Sequence, residues 1–477
     1  MIDCSLPTQL PKATFGRLYS ELELHKAVVQ AYSKPLFTWR KALSMSHDQK
    51  TLYDFAQYSL KNTHSLHRQL INREFQFREC IELNYNFNGK ERTIFLFPWE
   101  ERIVDLCLYR MLTQYFQNAF SASCHAYRWG NFGIDSCQRK LGRLIRELPK
   151  PVYFLKRDVK DYFPSIDHDK LSGLLAQWVD PDDYLFDLLQ RRIKFKIKRE
   201  DAVETNSLGV GFGTAIACFF ANLYLTPLDR RLEAIEGVHP FRYADDILVC
   251  SSDRDAIKSA EEVIEKSFDE LHLQSKEKHH KNFSFSRSSE SDPEFPRRDK
   301  FRHLGLSFKA DGMVCLSRDK SRKIQNQFKY AFRRNSSKLR KKKTVDERLA
   351  TAIQIANDCL DYGFRSVSVI NYYLKHTNDS EQLRLLDRWL AEEVVSKALK
   401  TGHRKGNFKK IPFKRLRQLG LTSLRHRSSM IIHGHLESSF FALRTSKLID
   451  QKRRRLPPGY GGNASNGVPS KVESSGV

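Results

Sequence analysis

The sequence predicts an α+β fold followed by a helical, basic C-terminal region, and three observations carry that expectation. Two runs rich in aromatic and β-branched residues, Phe154 to Asp158 and Phe241 to Cys250, read as strands with acids where the chain turns. Segments with apolar residues at helical spacing lie beside them, among them Gly133 to about Glu147 and Ala256 to Leu271. From about residue 316 the composition turns helical and basic.

At 477 residues, with 40% hydrophobic and 12% aromatic residues, the chain has material for two or three domains and a sizeable core. Lys plus Arg exceed Asp plus Glu by 81 to 56, a formal charge of +25, which points to a polyanionic partner. A ribosomal or membrane-surface protein would share that balance. Apolar runs of membrane-spanning length are missing, and Met1-Ile2-Asp3-Cys4-Ser5 lacks the pattern of a secretory signal. A cytoplasmic protein with no membrane partner is expected. Nine cysteines, scattered from Cys4 to Cys359 without a Cys-x-x-Cys pair, argue against a disulfide framework and a structural zinc site.

In chain order, residues 1–80 read as a helical extension, with Leu18, Leu22, Leu24, Val28, Leu52, Phe55 and Leu60 at helical spacing. Tyr85 to Pro98 reads as two strands joined at Asn88-Gly89, with Lys90 and Arg92 just beyond the turn and a helix from Glu100 to about Phe116. The adjacent pair Asp245-Asp246 sits among apolar residues. Two such carboxylates repel each other and are costly to desolvate, so a divalent cation is the natural counterpart, and Asp158 supplies a third acid from a separate element, as a site for two Mg²⁺ ions needs. Of Tyr162 and Phe163, one is expected in the core. Between the acidic sites, Gly209, Gly211 and Gly213 alternate, Thr214 is a candidate N-cap, and Ile216, Phe219, Phe220 and Leu223 form one helical face. The glycines complete neither a Walker loop nor a dinucleotide fingerprint.

These stretches together resemble reverse transcriptases of the group II intron-like bacterial class. Asp158 to Ile166 is similar to their motif A, Leu208 to Leu225 to motif B, Tyr243-Ala244-Asp245-Asp246 to motif C, Gln274 to Lys278 to motif D, and Arg302 to Phe308 to motif E. The order is intact across roughly residues 80–310. Motif B departs from the usual pattern, with Gly211 for Pro and Phe212 for Gln or a small aliphatic residue. The resemblance implies a right-hand polymerase, with fingers at 81–157, an antiparallel palm at 158–310, an all-helical thumb and RNA-binding extension at 311–455, and a disordered tail at 456–477.

It also implies roles. Asp158, Asp245 and Asp246 would be catalytic and hold two Mg²⁺ ions, and Lys278, with Lys276 in reserve, would act as general acid to pyrophosphate. Lys90 and Arg92 would face the triphosphate, while Val159, Phe163, Gly211 and Phe212 would contact the incoming deoxynucleotide, with Phe163 excluding a 2′-hydroxyl. Arg128, Tyr243, Leu304 and Gly305 would contact template or primer. Lys341, Lys342 and Lys343 belong to a cationic run interleaved with Phe328, Tyr330 and Phe332, which reads as a surface for RNA. A second basic stretch spans His403 to Arg427 and contains Phe408 and Phe413.

The implied activity is RNA-directed DNA synthesis from dNTPs, with a structured non-coding RNA as partner and DNA as product, in defence against phage; a homo-oligomer is compatible with it. No zinc or HNH-like Cys/His cluster follows the thumb, and no retron-like Val-Thr-Gly segment stands near the C-terminus. The alternatives are template-independent or protein-primed synthesis, a retron- or intron-type mobile-element enzyme, and a non-catalytic RNA-binding splicing cofactor.

Overall fold

The computed structural model describes residues 4–7, 10–33, 45–46, 48–87, 90–200, 202–286, 292–404 and 406–439. The chain divides into two compact units, Met1–Asp299 with Ala310–Gly312, and Lys300–Lys309 with Met313–Val477. The expected tail at 456–477 lies outside the described residues.

In the first unit the expected hairpin forms from β1 (Cys80–Phe87) and β2 (Lys90–Leu96), closed by the Phe87–Lys90 pair, and the helix Trp99–Tyr115 follows. Two further strands come with β3 (Val152–Asp158) between them and the hairpin in sequence: β4 (Lys196–Arg199) joins β1 in parallel, and β5 (Ala202–Thr205) pairs with β4. Neither β4 nor β5 was expected. They are four residues long and largely exposed, so no apolar alternation marks them.

The acids are carried on the second sheet, whose order is β6-β7-β3-β8, with β6 His239–Tyr243, β7 Asp246–Ser251 and β8 Lys281–Phe285, all antiparallel. Alternation sorts its two faces. Leu155, Ile247 and Val249 enter the main core, where Arg157 on the same face bonds to Glu261 of the helix Arg254–Glu270 and to Asn282. Lys156, Asp158 and Asp246 lie on the other face, where Asp158 stands directly opposite Asp246. The helix Ala215–Tyr224 begins at Thr214, whose hydroxyl accepts from Ala217 N, and buries Phe220 together with Phe219, which packs against Phe116, Phe120 and Trp178. Each such ring contributes roughly 1.5–3 kcal/mol of burial.

The glycine-rich loop ahead of that helix is strapped to the chain beyond Asp158. Gly209 N donates to Ile166 O at 2.8 Å, Val210 N to Phe163 O at 2.9 Å, and the Gly209 carbonyl meets His168 Nε2 at 2.7 Å. Beneath Gly211 lies the ring of Phe97, with the guanidinium of Arg192 stacked on that ring at 3.7 Å and held by Asp105 and Glu101. Loss of both carboxylates would leave the buried guanidinium unpaired.

The second unit opens with an antiparallel sheet of β9 (Lys300–His303), β10 (Leu306–Lys309) and β11 (Val314–Leu316). The expected helices follow as Arg318–Arg334, Val345–Asp361, Phe364–His376 and Ser380–Leu399, then shorter ones ending with Leu424–Ile432. Two expectations need correction. The region from 311 on is not wholly helical, because β11 completes the sheet. Phe328 and Phe332 do not interleave with the cations on a surface: with Ile324 they recur every four residues and form the buried stripe of their helix. Only Tyr330 of the three aromatics is exposed, with Arg333 5.7 Å from its ring.

Of the nine cysteines, eight are buried and Cys218 is half-buried. Among the described residues, no helix is long and apolar enough to cross a membrane.

Gly209 has φ +78°, and a Cβ there would sit 2.7 Å from the Pro164 backbone. Gly209→Ala is therefore expected to lower the melting temperature by several degrees, from roughly 1–3 kcal/mol of backbone strain plus the clash. A thermal melt with an unchanged midpoint would show that the loop yields freely.

Candidate active site

The hairpin β6–β7 is closed by the pair Tyr243–Asp246, leaving Ala244 and Asp245 as its two turn residues. Ala244 has φ +58°, as the primed turns of two-residue hairpins require, and a Cβ in that region costs roughly 1–2 kcal/mol. Asp245 thereby stands at the tip of the turn, beside the end of β3. Its carboxyl group shares a hydrogen bond with Asp158, and burial, reinforced by the charges of Asp158 and Asp246, pushes its pKa up to about 6. The backbone continues the contact, since Val159 N donates to Asp245 O at 3.4 Å.

Asp246 is directed differently. Lys156 Nζ lies 3.2 Å from its Oδ2 and 3.1 Å from its Oδ1, with both side chains largely shielded from solvent. Among the described residues, no group of three or more His, Cys, Asp or Glu side chains is drawn together as a cage for an ion. The expected trio thus divides into a hydrogen-bonded pair, Asp158 and Asp245, and a third carboxylate held by lysine. The donor set suits a divalent cation: two carboxylates kept in contact, one of them retaining its proton to about pH 6, would lose their repulsion to an ion between them.

Sequence reasoning overlooked what holds the turn from behind. Arg242, fully buried in β6, donates to Asp229 through Nε (2.7 Å) and Nη2 (2.5 Å), and through Nη1 to Asn222 Oδ1 and Ala244 O, both at 3.3 Å. Two helices therefore anchor the strained turn carbonyl. An arginine between apolar strand residues was the available signal, because it must find an acid when buried.

The other expected residues fall as follows. Tyr162 is the core aromatic, its hydroxyl bonded to Ala221 O, while Phe163 is half-buried and packs edge-on against Phe212 at 5.3 Å. Tyr243 is half-buried near Tyr127, ring centroids 6.4 Å apart. Gln274 to Lys276 lines up beside the chain at Asp158: Lys160 N donates to Gln274 O and Lys276 N to Asp158 O, each at 2.8 Å. Lys276 is half-buried there, and Lys278 is exposed on the short turn Glu277–His279.

Arg128 departs from the expected template contact. Its guanidinium donates to Ser121 O at 2.6 Å, Cys124 O at 3.0 Å and Gln117 O, and stacks 3.5 Å from the centre of Phe132, so these bonds pin its own loop. Lys90 and Arg92 lie on β2, but their side chains are outside what the structure describes. Leu304 and Gly305, with φ +46° and +87°, form the β9–β10 turn and belong to the second compact unit. In that same unit Lys341, Lys342 and Lys343 are exposed, while buried Arg348 donates to the carbonyls of Lys342 (3.3 Å) and Lys343 (2.7 Å).

Because the folded pKa of Asp245 is raised, the metal-free protein loses stability as pH rises from about 4 to about 6, by roughly 2–3 kcal/mol, and the deficit persists at neutral pH. Asp245→Asn removes that deficit. In chelator at pH 7 it is expected to melt several degrees above the unsubstituted protein, with the gap closing toward pH 4, whereas added divalent cation should raise only the unsubstituted protein. Melting curves across pH that coincide for the two proteins would contradict this.

A 91 kDa protein in the cob intron of Schizosaccharomyces pombe, itself uncharacterised, is 23% identical over 155 residues, covering 32% of this chain and 19% of that protein. The retron Ec73 reverse transcriptase of Escherichia coli is 29% identical over 123 residues, covering 25% of this chain and 39% of the enzyme. The chain thus spans less than half the length of either curated relative. Among solved structures, apo telomerase from Candida tropicalis, truncated from the C-terminal domain, aligns with a TM-score of 0.41 at 14% identity, covering 55% of this chain and 60% of that one. Residues 84–308, which include all three carboxylates, match the family model described as reverse transcriptase (RNA-dependent DNA polymerase).

Proposed function

We propose that the chain is an RNA-directed DNA polymerase, and the observation that carries the reading is the Asp158–Asp245 carboxyl pair at the end of the antiparallel sheet, inside the matched domain. Asp158 and Asp245, with Asp246 beside them, would hold Mg²⁺, which when bound activates a primer 3′-hydroxyl and neutralises charge on a deoxynucleoside triphosphate. The chain's own residues do the rest. Phe163, packed edge-on against Phe212, bounds the sugar of the incoming nucleotide. Lys278, or Lys276 nearer the sheet, donates a proton toward the departing pyrophosphate. Arg242 and Asp229 keep the turn from shifting as charge builds in front of it.

The basic composition of the second unit supports a polyanion as partner. Between residues 313 and 440, Lys and Arg outnumber Asp and Glu by more than two to one. We read the partner as a structured RNA that supplies the template, with DNA as product. The role implied by the resemblance is copying such an RNA in cytoplasmic defence against phage.

The test is primer extension on an RNA template with dNTPs. Synthesis should depend on template and disappear in Asp158→Asn. Extension that continues with the template omitted would favour the terminal-transferase alternative, and an inert unsubstituted protein the non-catalytic one. In the same assay Phe163→Ala should raise the efficiency of ribonucleotide use relative to deoxynucleotide use by about tenfold or more. An unchanged ratio would remove Phe163 from sugar selection.

Replacing Lys341, Lys342 and Lys343 together by Gln should weaken RNA binding and flatten its dependence on salt, because fewer counterions are released, with generic primer extension retained. Filter binding across a salt series reads this directly. A triple variant with unaltered slope would take these lysines out of the RNA surface.

A further inference from the structure

One cation on the sheet has no task in the mechanism above. Lys156 stands two residues before Asp158 on β3, on the same face, with its Nζ within 3.1–3.2 Å of both carboxylate oxygens of Asp246. The register explains the choice of partner. Directly across from Lys156 on β8 is Lys281, a like charge, and directly across on β7 is Leu248, which offers no polar atom. Asp158 already shares a hydrogen bond with Asp245. The diagonal neighbour Asp246 is the remaining acid on that face, and shielding from solvent makes the pairing stronger than a surface ion pair.

We infer that Lys156 is a positioning residue that holds Asp246 in reserve, so that a divalent cation is captured first by Asp158 and Asp245 and engages Asp246 only in competition with the Lys156 ammonium. The inference rests on the reading of Asp158 and Asp245 as a cation site. It divides the three carboxylates by role: two that bind, and one whose availability is set by a resident positive charge. The absence of any three-ligand cage among the described residues agrees with that division. So does the position of Lys156 on the strand that carries Asp158, which fixes it relative to the site.

The experiment measures Mn²⁺ binding to the full chain, without nucleotide or nucleic acid, from the electron paramagnetic resonance signal of the free ion. Four variants are compared with the unsubstituted protein: Lys156→Met, Lys156→Arg, Asp246→Asn, and the double variant Lys156→Met with Asp246→Asn. Lys156→Met should bind Mn²⁺ about fivefold or more tightly, the effect of removing one positive charge at a few ångströms. Lys156→Arg, which keeps the ion pair, should bind like the unsubstituted protein and shows that the position tolerates change. In the Asp246→Asn background most of the gain from Lys156→Met should disappear, since Lys156 acts through Asp246. An affinity unchanged or weakened in Lys156→Met overturns the inference, and so does a gain that persists undiminished beside Asp246→Asn, which would make Lys156 a generic repelling charge. Failure of the unsubstituted protein to bind Mn²⁺ at all is a different result: it overturns the cation site itself and the inference with it.

Discussion

Bringing Asp158 and Asp245 into hydrogen-bonding contact costs free energy at neutral pH, and the protein meets that cost with rigid support behind the turn. The antiparallel register sets β3 against β7 so that Asp158 and Asp246 face each other, and a two-residue turn carries Asp245 to the same end of the sheet. Neither arrangement would persist on a loose hairpin. Arg242, clamped by Asp229 and Asn222, fixes the turn through the Ala244 carbonyl, while Arg157, next to Asp158, ties the end of β3 to Glu261 and Asn282. Buried cations with their own acid partners thus hold the strands without drawing on Asp158 or Asp245.

The same separation of labour recurs around the glycine-rich loop. Gly209 lets the loop press against Pro164, Phe163 and Phe212 pack together over it, and Arg192 supports Phe97 from below. A substitution anywhere in this stack would be felt where the half-buried Phe163 ring meets its neighbour. The departures from the resembled pattern at Gly211 and Phe212 become intelligible as a matched pair of features. Phe97 needs the space a side chain at 211 would fill, and Phe163 needs the ring at 212.

The strands bearing acids, the β1–β2 hairpin and the helices before and after them were legible in the sequence because periodicity and turn chemistry are local. Asp158 and Asp245 stood out for the same reason, as acids where strand-like runs end, whereas Phe163 was singled out from Tyr162 only by the resemblance to a known family. What could not be read was pairing across the chain. Nothing in the sequence links Lys156 to Asp246, ninety residues away and its diagonal neighbour across the sheet, and Arg128 looked like a nucleic-acid contact until three carbonyls of its own loop claimed it. In the C-terminal unit the spacing of Ile324, Phe328 and Phe332 carried the correct answer, a buried stripe, but the density of cations between them drew attention to the opposite reading.

The disposition of sulfur has a practical side. Burial pushes the thiols of Cys80, Cys107, Cys137 and Cys250 up to about 12, and those of Cys124, Cys315 and Cys359 to about 11, so at neutral pH they are neither ionised nor accessible. Alkylating reagents would reach them only when the surrounding structure opens. Since Cys137 and Cys250 report on the layers around the carboxylate sheet and Cys315 and Cys359 on the second unit, the rate at which each is modified is a native stopwatch for the opening of its own unit, readable by mass spectrometry with no added probe.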